Sequence, residues 1–326
     1  MARLSQALPA AWYRADGWLW ALRPLELVFR AGAALRRRLY RMGWLSVFQA
    51  PKPVVVVGNI AVGGTGKTPV VIALVEALAA RGLRVGVVSR GYGARRGTFP
   101  HVLDQDSRVD DCGDEALLLY RRTGCPCVVD PSRVAAVQTL LDRFDVDLVI
   151  CDDGLQHYAL GRDLEIVLVD ALLGHGNGFC LPAGPLREPV SRLRSVDFVL
   201  YRGDGADDDT VVYEPDALVN LRSAEHRTVD TGSIGTKVHA LAGIGQPDQF
   251  FRDLRKAGFE LEAHVYPDHH GFCEDELRPL AGKPVIMTEK DAVKCTHLAG
   301  DDAWYLKISA RLPQGLVSAV AALAEH

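Results

Sequence analysis

The sequence predicts an α/β chain: a doubly wound, mostly parallel sheet, a second, smaller α/β domain after it, and an amphipathic helix before it. Three observations predict this. Val54–Val57 is a β-branched run that breaks into a glycine-rich turn, "VVVVGNIAVGGTGKTP", and a helical apolar pattern follows at once in "VVIALVEALAARG". Short apolar runs then alternate with helical stretches along the chain, which is the pattern of a parallel sheet with crossover helices. Residues 17–45 instead place apolar side chains at helical spacing with arginines opposite. The expected segments are 1–45, 46–225 and 226–326.

The 326 residues are 48% hydrophobic, enough for a substantial core. Net charge is −4, unevenly spread: residues 1–52 hold nine Arg/Lys and two acids, a local +7 that leaves −11 for the rest. Such asymmetry suggests an anionic partner for the basic end. Seven scattered cysteines without a secretory signal fit a reduced, cytoplasmic setting. Cys125 and Cys127 form a lone close pair, and a zinc ribbon would need a second.

In the first segment Pro24 opens a helix. Leu25, Val28, Phe29, Leu35, Leu39 and Met42 share one side, and Arg30, Arg37, Arg38 and Arg41 the other. Four of the five tryptophans (Trp12, Trp18, Trp20 and Trp44) lie in or beside this stretch. No apolar run reaches the roughly 20 residues of a spanning helix. The pattern is that of an interfacial anchor on an anionic membrane surface, with a core-packed helix as the alternative.

The turn after Val57 is a phosphate cradle. Gly63, Gly64 and Gly66 let backbone N–H groups converge, Lys67 would reach the β/γ-phosphates, and the Thr68 hydroxyl would meet Mg²⁺. Ala61, Val62 and Thr65 complete the loop, with Ala61 at a position where the strict pattern has glycine. A metal acid belongs at the end of a neighbouring strand, and "VDLVICDDG" supplies Asp152 and Asp153 there. The fold is therefore P-loop NTPase-like. "RVGVVSRGYG" is a further strand that delivers Arg90 to the same edge, with Tyr92 just beyond. "CGDEALLLYRRTG" reads as a helix whose Asp114 and Glu115 either suit the helix dipole or face the site as a base. "GNGFCLPAGPLREP" is a long aperiodic loop with Arg187 and Glu188. In the second domain "PVIMTEKDAVK" (284–294) reads as a strand, and "LEAHVYPDHHGF" carries Asp268, His269 and His270.

The cradle, "SRGYG", "GDE", "DDGLQH", "LPAGPLREP" and "YPDHHGF" occur in one order. Together they closely resemble the bacterial tetraacyldisaccharide 4′-kinases, the lipid A 4′-kinases, from the N-terminal helix to about Lys294. That family tolerates the missing first glycine. The resemblance implies transfer of the ATP γ-phosphate to the 4′-hydroxyl of a tetraacylated glucosamine disaccharide 1-phosphate, with ATP and Mg²⁺ as cofactors. It implies a lipid acceptor, no nucleic acid and no obligate protein partner, at the cytoplasmic face of the inner membrane. By motif, Asp114 is the catalytic acid, paired with His269 or with its neighbour His270. Asp152, Asp153 and Glu188 are the metal acids. Lys67 and Arg90 support transfer, and Tyr92, Gln156 and His157 contact substrate. Segment 46–225 is then the nucleotide core and 226–326 a lid that closes to bring His269 to Asp114. A GTPase or metal-insertion chaperone would show [NT]-K-x-D, whereas "TEKD" has the order wrong. A membrane-associated ATPase acting on no lipid, or one binding nucleic acid through the basic end, are further alternatives.

Overall fold

The computed structural model describes residues 2–95, 98–205, 207–280, 282–298 and 300–325, with backbone alone for residues 2–7. Within the expected segments and the acidic turn at 203–209, Met1, Arg96, Gly97, Ala206, Ala281, Ala299 and His326 lie outside the described residues. In chain order the strands are β1 Val54–Gly58, β2 Val85–Ser89, β3 His101–Val102, β4 Cys127–Val129 and β5 Leu148–Asp152. There follow β6 Leu164–Asp170, β7 Phe198–Arg202, β8 Thr210–Asn220, β9 His226–Arg227 and β10 Lys237–Ala242. The last are β11 Glu260–Val265, β12 Val285–Thr288 and β13 Ala303–Arg311.

The chain divides into two compact units. Unit 1 holds Met1–Arg90, Cys125–Val212 and Leu312–His326; unit 2 holds Gly91–Gly124 and Tyr213–Arg311. This differs from a division at residues 45 and 225. The N-terminal helix belongs to unit 1, and 91–124 leaves the nucleotide core for unit 2. The reason is packing within unit 2: the helix Asp114–Thr123 lies against the helix Glu289–Cys295, where the Arg122 guanidinium meets Glu289 at 2.7 Å.

In unit 1 the strand order is β8-β7-β6-β1-β5-β2-β4, and every pair is parallel. β1 sits between β5 and β6, where the strand order reverses, which is where such sheets bind ligands. Val54–Val57 are fully buried, as a β-branched run in a parallel interior should be. The helix Lys67–Ala79 buries Val70, Val71, Ile72, Leu74, Val75 and Leu78 against β1, β2 and β5.

In unit 2 the order is β11-β10-β12-β13-β8, with β9 antiparallel on β8 and the first three pairs parallel. Phe250, Phe251, Leu254, Ile286 and Trp304 form its core. The stretch 284–294 is not one strand. β12 ends at Thr288, and a helix runs Glu289–Cys295. Thr288 caps that helix: its side chain accepts from the Asp291 N–H at 3.2 Å and donates to the Asp291 carboxylate at 2.6 Å. A polar cap three residues ahead of an acid starts a helix more firmly than the apolar run before it continues a strand.

The N-terminal helix spans Arg23–Arg41, after a separate helix Ala2–Arg14 and a 3₁₀ turn Gly17–Leu22. It does not pack by its apolar stripe. Leu25, Val28, Leu35 and Met42 are exposed, Val28 by 71%. The residue that faces inward is Glu26, which is 1% exposed, pairs with Arg23 at 2.8 Å and accepts from the Cys180 N–H at 3.2 Å. Trp12 is also buried, donating from Nε1 to the Pro182 carbonyl at 3.0 Å. Trp18, Trp20 and Trp44 are exposed. Among the described residues no helix is long and apolar enough to cross a membrane.

Candidate active site

The phosphate loop of unit 1 is built by its own side chains. The buried Asn59 donates to the Thr65 hydroxyl at 3.0 Å and to the Gly63 carbonyl at 3.5 Å. Gly66 stands in the left-handed region, φ +83°, at the N-cap of the helix, a conformation glycine takes without strain. Lys67 and Thr68 thus enter the first turn, where free N–H groups favour anions. Ala61 is not among the positive-φ residues. Its methyl is buried, and its backbone bridges Leu186. Glycine is not needed there because the backbone never turns left-handed.

The loop 176–189 closes over this cradle. The Val62 N–H donates to the Pro185 carbonyl at 2.8 Å and the Arg187 N–H to the Ile60 carbonyl at 2.6 Å. Asp153 follows β5 with φ +48°, a strained conformation for a side-chain-bearing residue. Arg187 reaches its two oxygens at 3.1 and 3.0 Å, and Lys67 approaches at 3.4 Å. Burial alone would raise the Asp153 carboxyl; Lys67 and Arg187 outweigh it and hold the carboxyl at about 2. Asp152 is buried at the end of β5. Ser89 donates to it at 3.5 Å.

Glu188, like Asp153, is held by neighbouring side chains. It accepts from Gln156 at 3.0 Å and from the Tyr158 hydroxyl at 2.6 Å, and Arg192 lies 3.3 Å away. Gln156 also donates to the Asn59 carbonyl at 3.1 Å, so both side chains tie the loop to the cradle. His157 is held neutral: burial, then the charges of Arg133 and Arg90, bring it down to about 4. Arg90 is exposed, one residue past β2.

Unit 2 holds a second constellation. Asp114 begins the helix Asp114–Thr123 and is 2% exposed. His269 Nδ1 lies 2.9 and 3.1 Å from its two oxygens. Of the two adjacent histidines it is therefore His269 that meets Asp114. His270 instead turns to Glu276 at 2.9 Å and stacks on Tyr266. His269 itself sits at φ +59°, a strain of about 1–3 kcal/mol. Its own N–H donates to Asp268 at 3.0 Å, and the Tyr92 ring lies 5.0 Å from its ring. Gly113 makes the approach possible: its φ is +85°, and a Cβ there would lie 2.1 Å from the Tyr92 carbonyl oxygen.

Two lysines surround the pair. Lys290 and Lys294, one turn apart on the helix Glu289–Cys295, each stand 3.9 Å from Asp114. Lys290 also meets Glu115 at 3.0 Å and Asp268 at 3.3 Å; Lys294 meets Asp291 at 2.6 Å. Burial would push the Asp114 carboxyl up, but the His269 hydrogen bond and these ammonium charges hold it below its ordinary value. The same hydrogen bond raises His269 above its ordinary value, against its partial burial.

The sequence reading brought Lys67, Thr68, Asp152 and Asp153 to one sheet edge, and Asp114 to a histidine of "DHH". It missed Asn59, Lys290 and Lys294. "TEKDAVK" contained the signal, since a Thr-x-x-Asp cap with lysines four apart marks a helix with both lysines on one face.

The family described as Tetraacyldisaccharide-1-P 4'-kinase matches residues 18–325. A Tetraacyldisaccharide 4'-kinase of Pseudomonas aeruginosa is 49% identical over 325 residues, covering 99% of this chain and 98% of the relative. One of Pseudomonas fluorescens is 50% identical over 310 residues, 94% of this chain and 92% of the relative. Among solved structures, the chain is similar to an "apo" form LpxK from Aquifex aeolicus in complex with ATP. The TM-score is 0.79 at 25% identity, over 94% of this chain and 99% of that one. A family match spanning both units, and relatives half identical along nearly the full length, show that the chain belongs to the tetraacyldisaccharide 4'-kinase family.

Proposed function

We propose that the chain transfers the γ-phosphate of ATP to the 4'-hydroxyl of a tetraacyldisaccharide 1-phosphate, with unit 1 holding the nucleotide and unit 2 taking the acceptor's proton. The observation that carries the division of labour is a half-buried His269 ring backed by the fully buried Asp114 carboxylate. A sugar hydroxyl must lose its proton as it attacks. Asp114 occupies Nδ1, so Nε2, with the Asp268 carboxylate 3.7 Å away, is the nitrogen that accepts that proton. The carboxylate fixes the ring and balances the imidazolium that forms, as in other base–orienter pairs. This reverses the roles expected from the motifs alone, in which Asp114 takes the proton.

In unit 1 the loop N–H groups and Lys67 bind the β/γ-phosphates. Thr68, Asp152 and Asp153 offer hydroxyl and carboxylate oxygens, the hard donor set that suits Mg²⁺. When bound, the ion neutralises phosphate charge. Arg187 keeps Asp153 oriented, and Glu188 holds the loop through Gln156, Tyr158 and Arg192. Arg90 adds positive charge for the transferring group, and Tyr92, beside His269, lines the acceptor's approach.

Incubating the protein with γ-labelled ATP, Mg²⁺ and the lipid disaccharide yields product labelled at the 4'-position. Label released only as inorganic phosphate, or robust GTP hydrolysis without transfer, overturns the kinase reading.

The exposed Leu25, Val28, Leu35 and Met42, with Arg36, Arg38 and Arg41 exposed beside them, form an interfacial anchor on the inner membrane's cytoplasmic face. Anionic headgroups attract such arginines by about 1 kcal/mol each. Leu25→Glu with Val28→Glu weakens binding to phosphatidylglycerol-containing vesicles at least tenfold, since burying each apolar side chain is worth roughly 1.5–3 kcal/mol. Both side chains are exposed, so thermal stability is kept. Equal sedimentation of the variant and the parent protein with vesicles refutes the anchor.

A further inference from the structure

β10 and β11 carry a cluster that phosphoryl transfer does not use. His239 pairs in register with Glu262, and His264 lies two residues further along β11, so all three side chains stand on one face of the sheet. His239 Nδ1 is 3.1 Å from His264 Nε2 and 3.4 Å from a Glu262 oxygen. One ligand atom from each of the three lies within 4.8 Å of the others. Whichever ring donates, the one proton between Nδ1 and Nε2 leaves the Glu262 oxygen to Lys283, whereas one cation between the three atoms can meet them all. In a tetrahedral zinc site with bonds of about 2.0–2.1 Å, neighbouring ligand atoms are about 3.3–3.4 Å apart. The two short separations bracket that edge length.

We propose that His239, Glu262 and His264 form a binding site for a borderline divalent cation of the Zn²⁺ class. Two imidazoles and one carboxylate suit Zn²⁺ and not the hard Mg²⁺ that accompanies a nucleotide. His239 is 6% exposed and anchors the site from β10, while Glu262 lies on the exposed side. A fourth position therefore faces solvent, as in other three-ligand zinc sites. Lys283 now pairs with Glu262 at 3.1 Å, with both side chains half exposed. Such a pair is worth about 0–1 kcal/mol, so the lysine yields to a cation. The cation would tie β11, which pairs only with β10 among the described residues, to the rest of unit 2.

The test uses the full-length protein, stripped with chelator and titrated with Co²⁺ and then Zn²⁺ without nucleotide. One equivalent of Co²⁺ should give visible d–d absorption without the near-ultraviolet band of thiolate ligation, which matters in a chain with seven cysteines. Zn²⁺ should displace it and raise Tm. His264→Ala should weaken binding at least tenfold, in line with the roughly 10–100-fold losses seen even for outer-sphere partners. Lys283→Ala should tighten it. Absence of saturable one-to-one binding, a thiolate band, or unchanged affinity in His264→Ala overturns the assignment.

Discussion

Asp114→Asn lowers kcat for phosphoryl transfer by about 10²- to 10⁴-fold, the upper end being the cost of the same change at the orienting carboxylate of a Ser-His-Asp triad, and leaves ATP affinity unchanged. The asparagine keeps the shape but loses the charge. Its amide can face His269 Nδ1 only by presenting a carbonyl without charge or an NH₂ that forces the wrong tautomer. Either way the imidazolium formed during attack is left without its counter-charge. Asp114→Ala is the poorer variant, because it also removes the buried acceptor atoms and leaves a cavity beside His269, while Lys290 keeps Glu115 and Asp268 and Lys294 keeps Asp291. Steady-state kinetics with a thermal melt on each variant separate the two effects. A kcat within threefold of the parent would remove Asp114 from the mechanism.

Lys67→Ala lowers kcat/KM for ATP by about 10²- to 10³-fold, the range for loss of one charge-stabilising donor. The lysine now stands 3.4 Å from Asp153, so its removal also leaves that carboxylate to Arg187 alone. Asp153→Asn in the Lys67→Ala background should therefore cost less than it does alone, since partners in one network are not additive. Near-parental kcat/KM in Lys67→Ala would mean that the nucleotide binds elsewhere.

Parts of this architecture were legible because they rest on local physics. A β-branched run followed by glycines and Lys-Thr has few other uses, and two acids closing the apolar run Leu148–Cys151 can only end a buried strand. The stripe of Leu25, Val28 and Leu35 was legible as a helix, but its exposure was not: periodicity reports that a face is apolar, never what covers it. The helix of Asp114 was legible too, yet its place in unit 2 depends on the distant Glu289–Cys295 helix, which the apolar "VIMT" before it disguised as strand. Glu188 shows the same limit. Its motif marks it as important, while its contacts with Gln156, Tyr158 and Arg192 come from folding and could not be read from the motif.

If His269, held by Asp114, takes the acceptor's proton, the pH dependence of kcat at saturating ATP and Mg²⁺ must show it. A base must be unprotonated to act. The Asp114 hydrogen bond raises His269 above its ordinary 6.5, so kcat should fall with one proton as pH drops through a midpoint above 6.5, and His269→Gln should erase that limb along with most of the rate. If Asp114 were the base, its carboxyl, held below 3.8, would keep kcat level through pH 5. A profile flat to that point, unchanged in shape by His269→Gln, would contradict the account.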